Sequence, residues 1–376
     1  MLHAGSEAVL SAVRQKYWPL SARSSIKGLI RQCMRCNRVN PRTTSYLMGQ
    51  LPPARVNVQS PFLSTGVDYA GPFYVKDRVR SKTTTKAYLC LFVCMTTKAV
   101  HLELATDLTT EAFIRCLTAR RGMCREIYSD NGTNFVGAWN EMQRIRAFLQ
   151  SNREAISNYA VTEGFDWRFI PPHAPHFGGL WERSIRSAKQ HLLRVVGEAR
   201  LTFDELCTVL ARVEACVNSR PLHPMSTDPA DLNSLTPGHF LIGRPLTALP
   251  HPDVTDIQIN RLSRFQLLQA MYQHFWRRWQ VDYLHQLQQR NKWRASTLEH
   301  FGVGTMVVIK EDNLPPLRWK QGRITALHPG KDGISRVQSI KTSEGVVQRP
   351  AAKVCILPMD EGGGDSNGLT ETRSPR

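Results

Sequence analysis

STGVDYAGPFYV (64–75), AYLCLFVCMTT (87–97) and AVHLELA (99–105) follow one another with only short polar segments between them. Each is rich in aliphatic, aromatic and β-branched residues and is bounded by Gly, Pro, Ser or Thr. Three successive strands joined by tight turns are expected. A helical pattern follows over 108–120, opened by Thr109, Thr110 and Glu111. REIYSD (125–130) reads as a short strand ending at a carboxylate. Residues 139–160 read as helical, WRFIPP (167–172) as a strand, and 180–196 as a strongly amphipathic helix. A further helix is expected over about 203–219. Antiparallel strands followed by alternating helices and strands predict a mixed α/β layer fold for residues 57–220.

Working outward, residues 1–42 open with Val9, Leu10, Val13, Tyr17 and Trp18 at roughly helical spacing, interrupted by Pro19. A second short helix over 22–32 leads into Cys33-Met34-Arg35-Cys36. Pro41, Pro52 and Pro53 mark a linker. Downstream, 221–298 reads as a proline-rich extended connection followed by helices rich in Arg, Gln and Trp. From Phe301 short strands recur: GTMVVIKE (304–311), RWKQGRITALHP (318–329), ISRVQSIKT (334–342) and VVQRPAAKVCIL (346–357). They predict a small β-barrel over 299–358. The tail 359–376 is low-complexity and reads as disordered.

The chain has 376 residues, with 49 Lys+Arg against 31 Asp+Glu and a net charge of +18. Its 41% hydrophobic and 21% charged content excludes wholesale disorder. No apolar run reaches eighteen residues, so no membrane span is expected, and the first thirty residues show no secretory pattern. The basic balance favours a polyanionic partner, nucleic acid foremost. Nine cysteines are too sparse for a disulfide scaffold and fit a reducing compartment. Cys90 and Cys94 sit in an apolar run, where Cys behaves as a small hydrophobe. Only Cys33 and Cys36 have metal-like spacing.

Three carboxylates stand out by position. Asp68 lies in the first strand. Asp130 ends a later strand and opens SDNGTNF (129–135). Glu182 lies in the first turn of the helix after PPHAPHFGG (171–179). Singly, an Asp at a strand end is usually a turn former and a Glu at a helix start a cap. Together they make an oxygen-ligand set for hard divalent cations, and two such ions promote phosphoryl transfer. On the 180–196 helix, Ile185, Ala188, Leu192, Val195 and Val196 fall on one face; Arg183, Arg186, Gln190 and Arg194 fall on the other. Such a basic face is either an ordinary solvated surface or a grip on phosphates beside the acids. Arg183, Arg186, Lys189 and Arg194 are the candidates for the latter. Basic residues interleaved with Trp276, Trp279 and Trp293 equally suit nucleic acid and a helix packed through its Trp face.

VDYAGPF (67–73), IYSDNGTNFVGA (127–138), FIPPHAPHFGGLWERSIRSAK (169–189), NSRPL (218–222), LTPGHFLIGRPL (235–246) and FWRRWQVDYLHQLQQRNKW (275–293) together carry a family likeness. The chain resembles the DDE integrases of retroviruses and long-terminal-repeat retrotransposons, BEL/Pao-type polyproteins above all. That resemblance implies an RNase H-like catalytic core in which Asp68, Asp130 and Glu182 bind two Mg²⁺ or Mn²⁺ ions. Asn131 and Asn134 would shape the neighbouring loop, Asn131 touching DNA. It also implies a small helical zinc-binding domain over 1–42, with His3, Cys33 and Cys36 as Zn²⁺ ligands. The first His of that His-His-Cys-Cys set would lie before Met1, so the domain reads as truncated. An SH3-like β-barrel with Lys310, Arg318, Lys320 and Arg323 as phosphate contacts would complete the chain. The implied activity is 3′-end processing and strand transfer on double-stranded DNA by a homo-oligomer in the nucleus. The alternatives are a catalytically inactive or domesticated integrase-derived DNA-binding protein, and an RNase H-type nuclease.

Overall fold

The computed structural model describes residues 4–39, 52–118, 124–129, 136–137, 139–140, 143, 166–169, 189–197, 199–288, 301–331 and 335–358. The chain divides into two compact units, Met1–Pro52 and Pro53–Arg376. The expected helix at 139–160, most of that at 180–196, and the tail 359–376 fall largely or wholly outside the described residues.

In the first unit, α1 (Ser6–Arg14) and α2 (Ala22–Gln32) pack through Leu10, Ala22 and Ile26 and lead to α3 (Met34–Val39). The spacing that extends a helix towards Trp18 is not realised. α1 ends at Arg14, whose guanidinium lies 4.7 Å from the exposed Trp18 ring centroid.

The second unit opens with α4 (Pro53–Val56), then β1 (Ser64–Lys76), β2 (Thr84–Cys94) and β3 (Val100–Ala105) as an antiparallel meander. α5 (Thr110–Thr118) carries the chain across the sheet to β4 (Glu126–Ser129), which pairs parallel with β1, and β5 (Asp166–Phe169) pairs parallel with β4. The sheet order is β3-β2-β1-β4-β5. Period-two alternation explains why both faces are covered. In β2, Leu89, Leu91 and Val93 enter one apolar cluster; Cys90, Phe92 and Cys94 enter the other, with Phe113 and Cys116 of α5 and Ile127 of β4. Fully burying side chains of this size contributes roughly 1.5–3 kcal/mol each.

The first face is closed by three helices. They are α6 (residues 189–196), α7 (Phe203–Asn218) and, further along the chain, a long helix at Arg264–Leu287. α7 starts at a capping box, with Thr202 and Glu205 satisfying each other's backbone N–H. Its far end seals the open edge of β3. Asn218 accepts from Val100 N (2.8 Å) and donates to Val100 O (2.7 Å); one turn earlier Glu214 accepts from Leu102 N (2.9 Å). Side chains thus replace a missing neighbouring strand.

Residues 219–257 are mostly extended, as their prolines require, but pair briefly as β6 (His223–Pro224) and β7 (Ser234–Leu235) and form α8 (Pro237–Ile242). The long helix, α9, is the Trp-rich segment. Trp276 and Trp279 are buried in the core, so its Trp face packs rather than meeting solvent. β8 (Met306–Ile309), β9 (Gln321–Pro329), β10 (Ser335–Thr342), β11 (Gly345–Pro350) and β12 (Val354–Ile356) follow in the order β11-β10-β9-β8-β12. Gly322 lies so close to β10 that a Cβ would stand 2.4 Å from Lys341 O. One side of this sheet gathers Val307, Ile309, Ile324 and Ile340; Met306, Val308, Cys355 and Leu357 pack with Leu284 of α9.

Candidate active site

Asp68 stands mid-strand in β1, opposite Leu91, so it shares the sheet face on which α6, α7 and α9 pack. Its side chain remains 32% exposed. Lys189, the first described residue of α6, reaches it: Nζ lies 2.5 Å from Asp68 Oδ2 and donates to Tyr69 O at 2.8 Å. The other Asp68 oxygen accepts from Tyr69 N at 2.7 Å. Lys189 is therefore engaged by a carboxylate and a carbonyl. It is among the expected phosphate contacts, and here its ammonium meets Asp68. Helical spacing places it beside Arg186 and Arg194, but the partner on β1 is set by tertiary packing.

β4 runs beside β1 with Ser64, Thr65 and Gly66 facing Glu126, Ile127 and Tyr128. On this face Glu126 accepts from Ser64 Oγ (3.2 Å), Tyr128 Oη (3.1 Å) and Arg168 Nη2 (3.2 Å). Burial and the adjacent Glu126 carboxylate push the Tyr128 phenol up. Sequence reasoning passed over Glu126. Its signal is the alternation that puts it in phase with Tyr128. Across the sheet Tyr69 packs against Phe113, and burial together with a hydrogen bond to Cys116 pushes the Cys90 thiol well up. Cys90 is thus an inert core group, as its apolar surroundings imply.

Asp130, Asn131, Asn134, Glu182, Arg183 and Arg186 lie outside the described residues, as does His3. Arg194 is exposed on α6 between the buried Leu192 and Val196.

In the first unit, Cys33 ends α2 and Cys36 lies in α3. A hydrogen bond with Cys33 holds the Cys36 thiol above its ordinary pKa. Two thiols brought together at a helix junction suit one half of a tetrahedral Zn²⁺ site. Among the described residues no group of three or more His, Cys, Asp or Glu is arranged to hold a metal ion.

The C-terminal candidates divide. Arg318 is exposed. Lys310 Nζ lies 2.8 Å from His285 Nε2. Lys320 is held by Glu311 (2.9 Å) and Glu344 (3.0 Å), whose carboxylates raise its pKa. Arg323 is buried, and its guanidinium donates to the carbonyls of Asp231, Gly304 and Ser226. Of the expected phosphate contacts, Lys320 is thus paired with two acids, and Arg323 ties β9 to the 226–231 loop. The NSRPL motif is also structural. Asn218 seals β3, Ser219 Oγ accepts from Trp319 Nε1 (3.1 Å), and the buried Arg220 clamps the carbonyls of Val217 and Lys98.

Comparison with known proteins adds four findings. Residues 1–42 match the integrase zinc binding domain family. Residues 263–357, which take in α9 and the C-terminal sheet, match a family of unknown function, DUF5641. The chain is 23% identical over 271 residues to the Pro-Pol polyprotein of feline foamy virus, covering 72% of this chain. It spans 20% of that polyprotein's length. A chain of the simian T-cell lymphotropic virus intasome in complex with PP2A regulatory subunit B56 gamma is similar at 13% identity and a TM-score of 0.32. That alignment covers 95% of this chain and 96% of the other, a likeness too weak to define the fold. The zinc-domain match and the polyprotein similarity together support a retroviral or retrotransposon integrase relationship.

Proposed function

We propose that this chain is an integrase of a retroviral-type element, of the BEL/Pao kind, that cleaves and joins phosphodiesters of double-stranded DNA. In this reading the sheet β3-β2-β1-β4-β5 is an RNase H-like core and β8 to β12 an SH3-like DNA-binding module. Asp68, Asp130 and Glu182 form its acidic triad. The observation that carries the reading is the register of β1 against β4. Ser64, Thr65 and Gly66 of β1 each face the residue 62 positions further along the chain. The same offset, carried two residues beyond the pair Gly66 and Tyr128, matches position 68 with position 130. Period-two alternation gives 130 the same phase as Tyr128, which packs on the Asp68 side of the sheet. Glu182 belongs seven residues before Lys189. Seven residues are two helical turns, so a helix that also took in position 182 would carry both on one face.

The chemistry of Asp68 suits a hard cation. Asp68 is a part-exposed carboxylate whose charge is already met by a cation, the Lys189 ammonium. Bound Mg²⁺ or Mn²⁺ would activate the attacking oxygen and stabilise the leaving one. The carboxylates would hold that cation, whose charge would draw in the anionic scissile phosphate. Water first opens a phosphodiester near the 3′ end of element DNA. The freed 3′-hydroxyl then attacks a target phosphodiester, forming the new bond as the target strand's 3′-oxygen leaves. Multimeric assembly and nuclear action follow from this role. Among the described residues no helix is long and apolar enough to cross a membrane.

The test is strand transfer on labelled oligonucleotide duplexes with Mg²⁺ or Mn²⁺. Asp68→Asn and Asp130→Asn should each abolish cleavage and joining with the fold intact by circular dichroism, Asp68→Asn at a melting temperature a few degrees lower because it breaks the Lys189 pair. An Asp130→Asn protein that still joins ends removes the triad. A wild-type chain that binds duplex but neither cleaves nor joins would favour the inactive DNA-binding alternative.

A further inference from the structure

The β1–β2 hairpin reaches beyond the layers that cover the sheet. Its inner residues, Phe73, Val75 and Ala87, are buried in the core. Between 76 and 86 stand five cations, Lys76, Arg78, Arg80, Lys82 and Lys86, against one acid, Asp77. Arg78, Arg80, Lys82 and Lys86 are all exposed, and among the described residues none has an ion-pair partner. The tip is held by neutral groups instead: Ser81 N donates to Arg78 O (2.9 Å), and Ser81 and Thr83 share a hydroxyl bond (2.6 Å). The base is fixed as well. Lys76 N donates to Leu201 O (2.8 Å), tying the end of β1 to the segment that caps α7. Tyr74, 56% exposed, pairs across the strands with Lys86. Beside it a cleft of about 560 Å³ is lined by Tyr74, Thr84, Leu193 and the exposed Arg200. The cationic surface thus continues towards Arg194 of α6.

A built-out, internally braced hairpin does not need unpaired cations for its own stability. Like charges this close repel one another and are met in full only by a polyanion. We propose that the 76–86 hairpin is a binding surface for the phosphate backbone of duplex DNA, separate from the acidic site and from the C-terminal module. The tip offers a single exposed apolar side chain, Val79, too little to enter a lipid surface. Eight residues of strand separate Asp68 from Lys76, about 26 Å at ~3.3 Å per residue. At ~3.4 Å of rise per base pair that is roughly seven or eight base pairs. A duplex whose end is handled at Asp68 would therefore pass the hairpin. This last step rests on the integrase reading; the charge argument does not.

The test uses the full chain, without divalent cation, and a fluorescent 30-base-pair duplex titrated by anisotropy over a range of KCl. The variant Arg78→Ser/Arg80→Ser/Lys82→Ser/Lys86→Ser should bind at least about tenfold more weakly near 0.1 M salt. Its log–log salt slope should be shallower by about 2 to 3.6, at ~0.9 per lost phosphate contact. Arg80→Glu alone should move both readouts in the same direction. Melting temperature and far-ultraviolet circular dichroism should match wild type, because the substituted side chains are exposed and, among the described residues, hold no ion pair. Unchanged affinity and slope in both variants overturn the proposal. So does hairpin-dependent binding that prefers duplex RNA, or vesicles of phosphatidylserine and phosphatidylcholine, over duplex DNA. Strand transfer on the same preparations separates the two readings. Joining by wild type with unchanged binding by the variants sinks the hairpin alone. Hairpin-dependent binding without joining by any form of the chain sinks the integrase reading alone.

Discussion

Lys189 links the helix that should carry Glu182 to the strand that carries Asp68. The pair is part-buried, with side-chain exposures of 16% and 32%, so its worth lies near the top of the surface range, about 1 kcal/mol. It also sets up a competition. A cation that binds Asp68 must share or displace the ammonium. Lys189→Ala should lower the melting temperature in chelator by a few degrees and lower the Mn²⁺ concentration giving half-maximal thermal stabilisation. Lys189→Arg should keep the stability of the chelated form. A Lys189→Ala protein that needs more Mn²⁺, not less, would refute the competition. The carboxylate was legible in the sequence because Asp interrupts an apolar strand. Its partner was not. Helical periodicity sorts residues by face but does not say which strand a face meets, and Lys189 was sorted with the arginines. The burial of Arg323 is hidden for the same reason: in a β pattern a buried, fully bonded guanidinium and a solvent-facing one look alike.

The elements were legible where one periodicity dominated. β1, β2 and β3 are apolar runs covered on both faces, and the 22–32 and 203–219 helices have one apolar stripe each, so pattern and structure agree. α9 was undecided in the sequence because its buried face is not purely apolar. Gln269, Gln273 and Gln280 are buried beside Trp276, and Gln273 bridges Val254 N and Pro252 O. The start of α7 has its own electrostatic signature. Burial pushes the Glu205 carboxyl up, but Arg264 (2.7 and 2.6 Å) and Thr202 N (2.8 Å) hold it below its ordinary value. A depressed carboxylate contributes stability that is complete above the unfolded pKa of about 4.3 and is lost as pH falls through the folded value. Glu205→Gln should therefore cost roughly 1–2 kcal/mol near pH 7 and progressively less as the pH falls below about 4. Urea unfolding in both pH ranges measures this; an equal loss in each would show that the cap acts through shape, not charge.

At the scale of the molecule, the expected boundary near residue 298 does not describe how the second unit holds together. Trp319, from the loop between β8 and β9, packs edge-on to Trp276 (4.9 Å), Trp279 (5.9 Å) and Tyr283 (5.6 Å) of α9. It also donates to Ser219 Oγ, while Trp276 Nε1 donates to Leu314 O at 3.0 Å. α9 thereby serves two cores at once, its middle filling the face that carries Asp68 and its end covering Met306 and Val308. Within the stretch matching DUF5641, the helix therefore packs both on the sheet upstream and on strands β8 and β12. Sequence pattern could not reveal this, because a boundary between periodicities marks a change of element and not a change of core. Trp319→Ala removes the one ring that touches all three aromatic neighbours and should cost about 3 kcal/mol. Calorimetry should then show the unfolding of this unit change from one transition to two, with strands β8 to β12 melting first. A single transition at unchanged temperature would mean that the aromatic contact does not couple the two sheets. In that case the basic surfaces of hairpin and C-terminal module would meet DNA independently, and deleting residues 301–357 would leave the hairpin's salt slope intact.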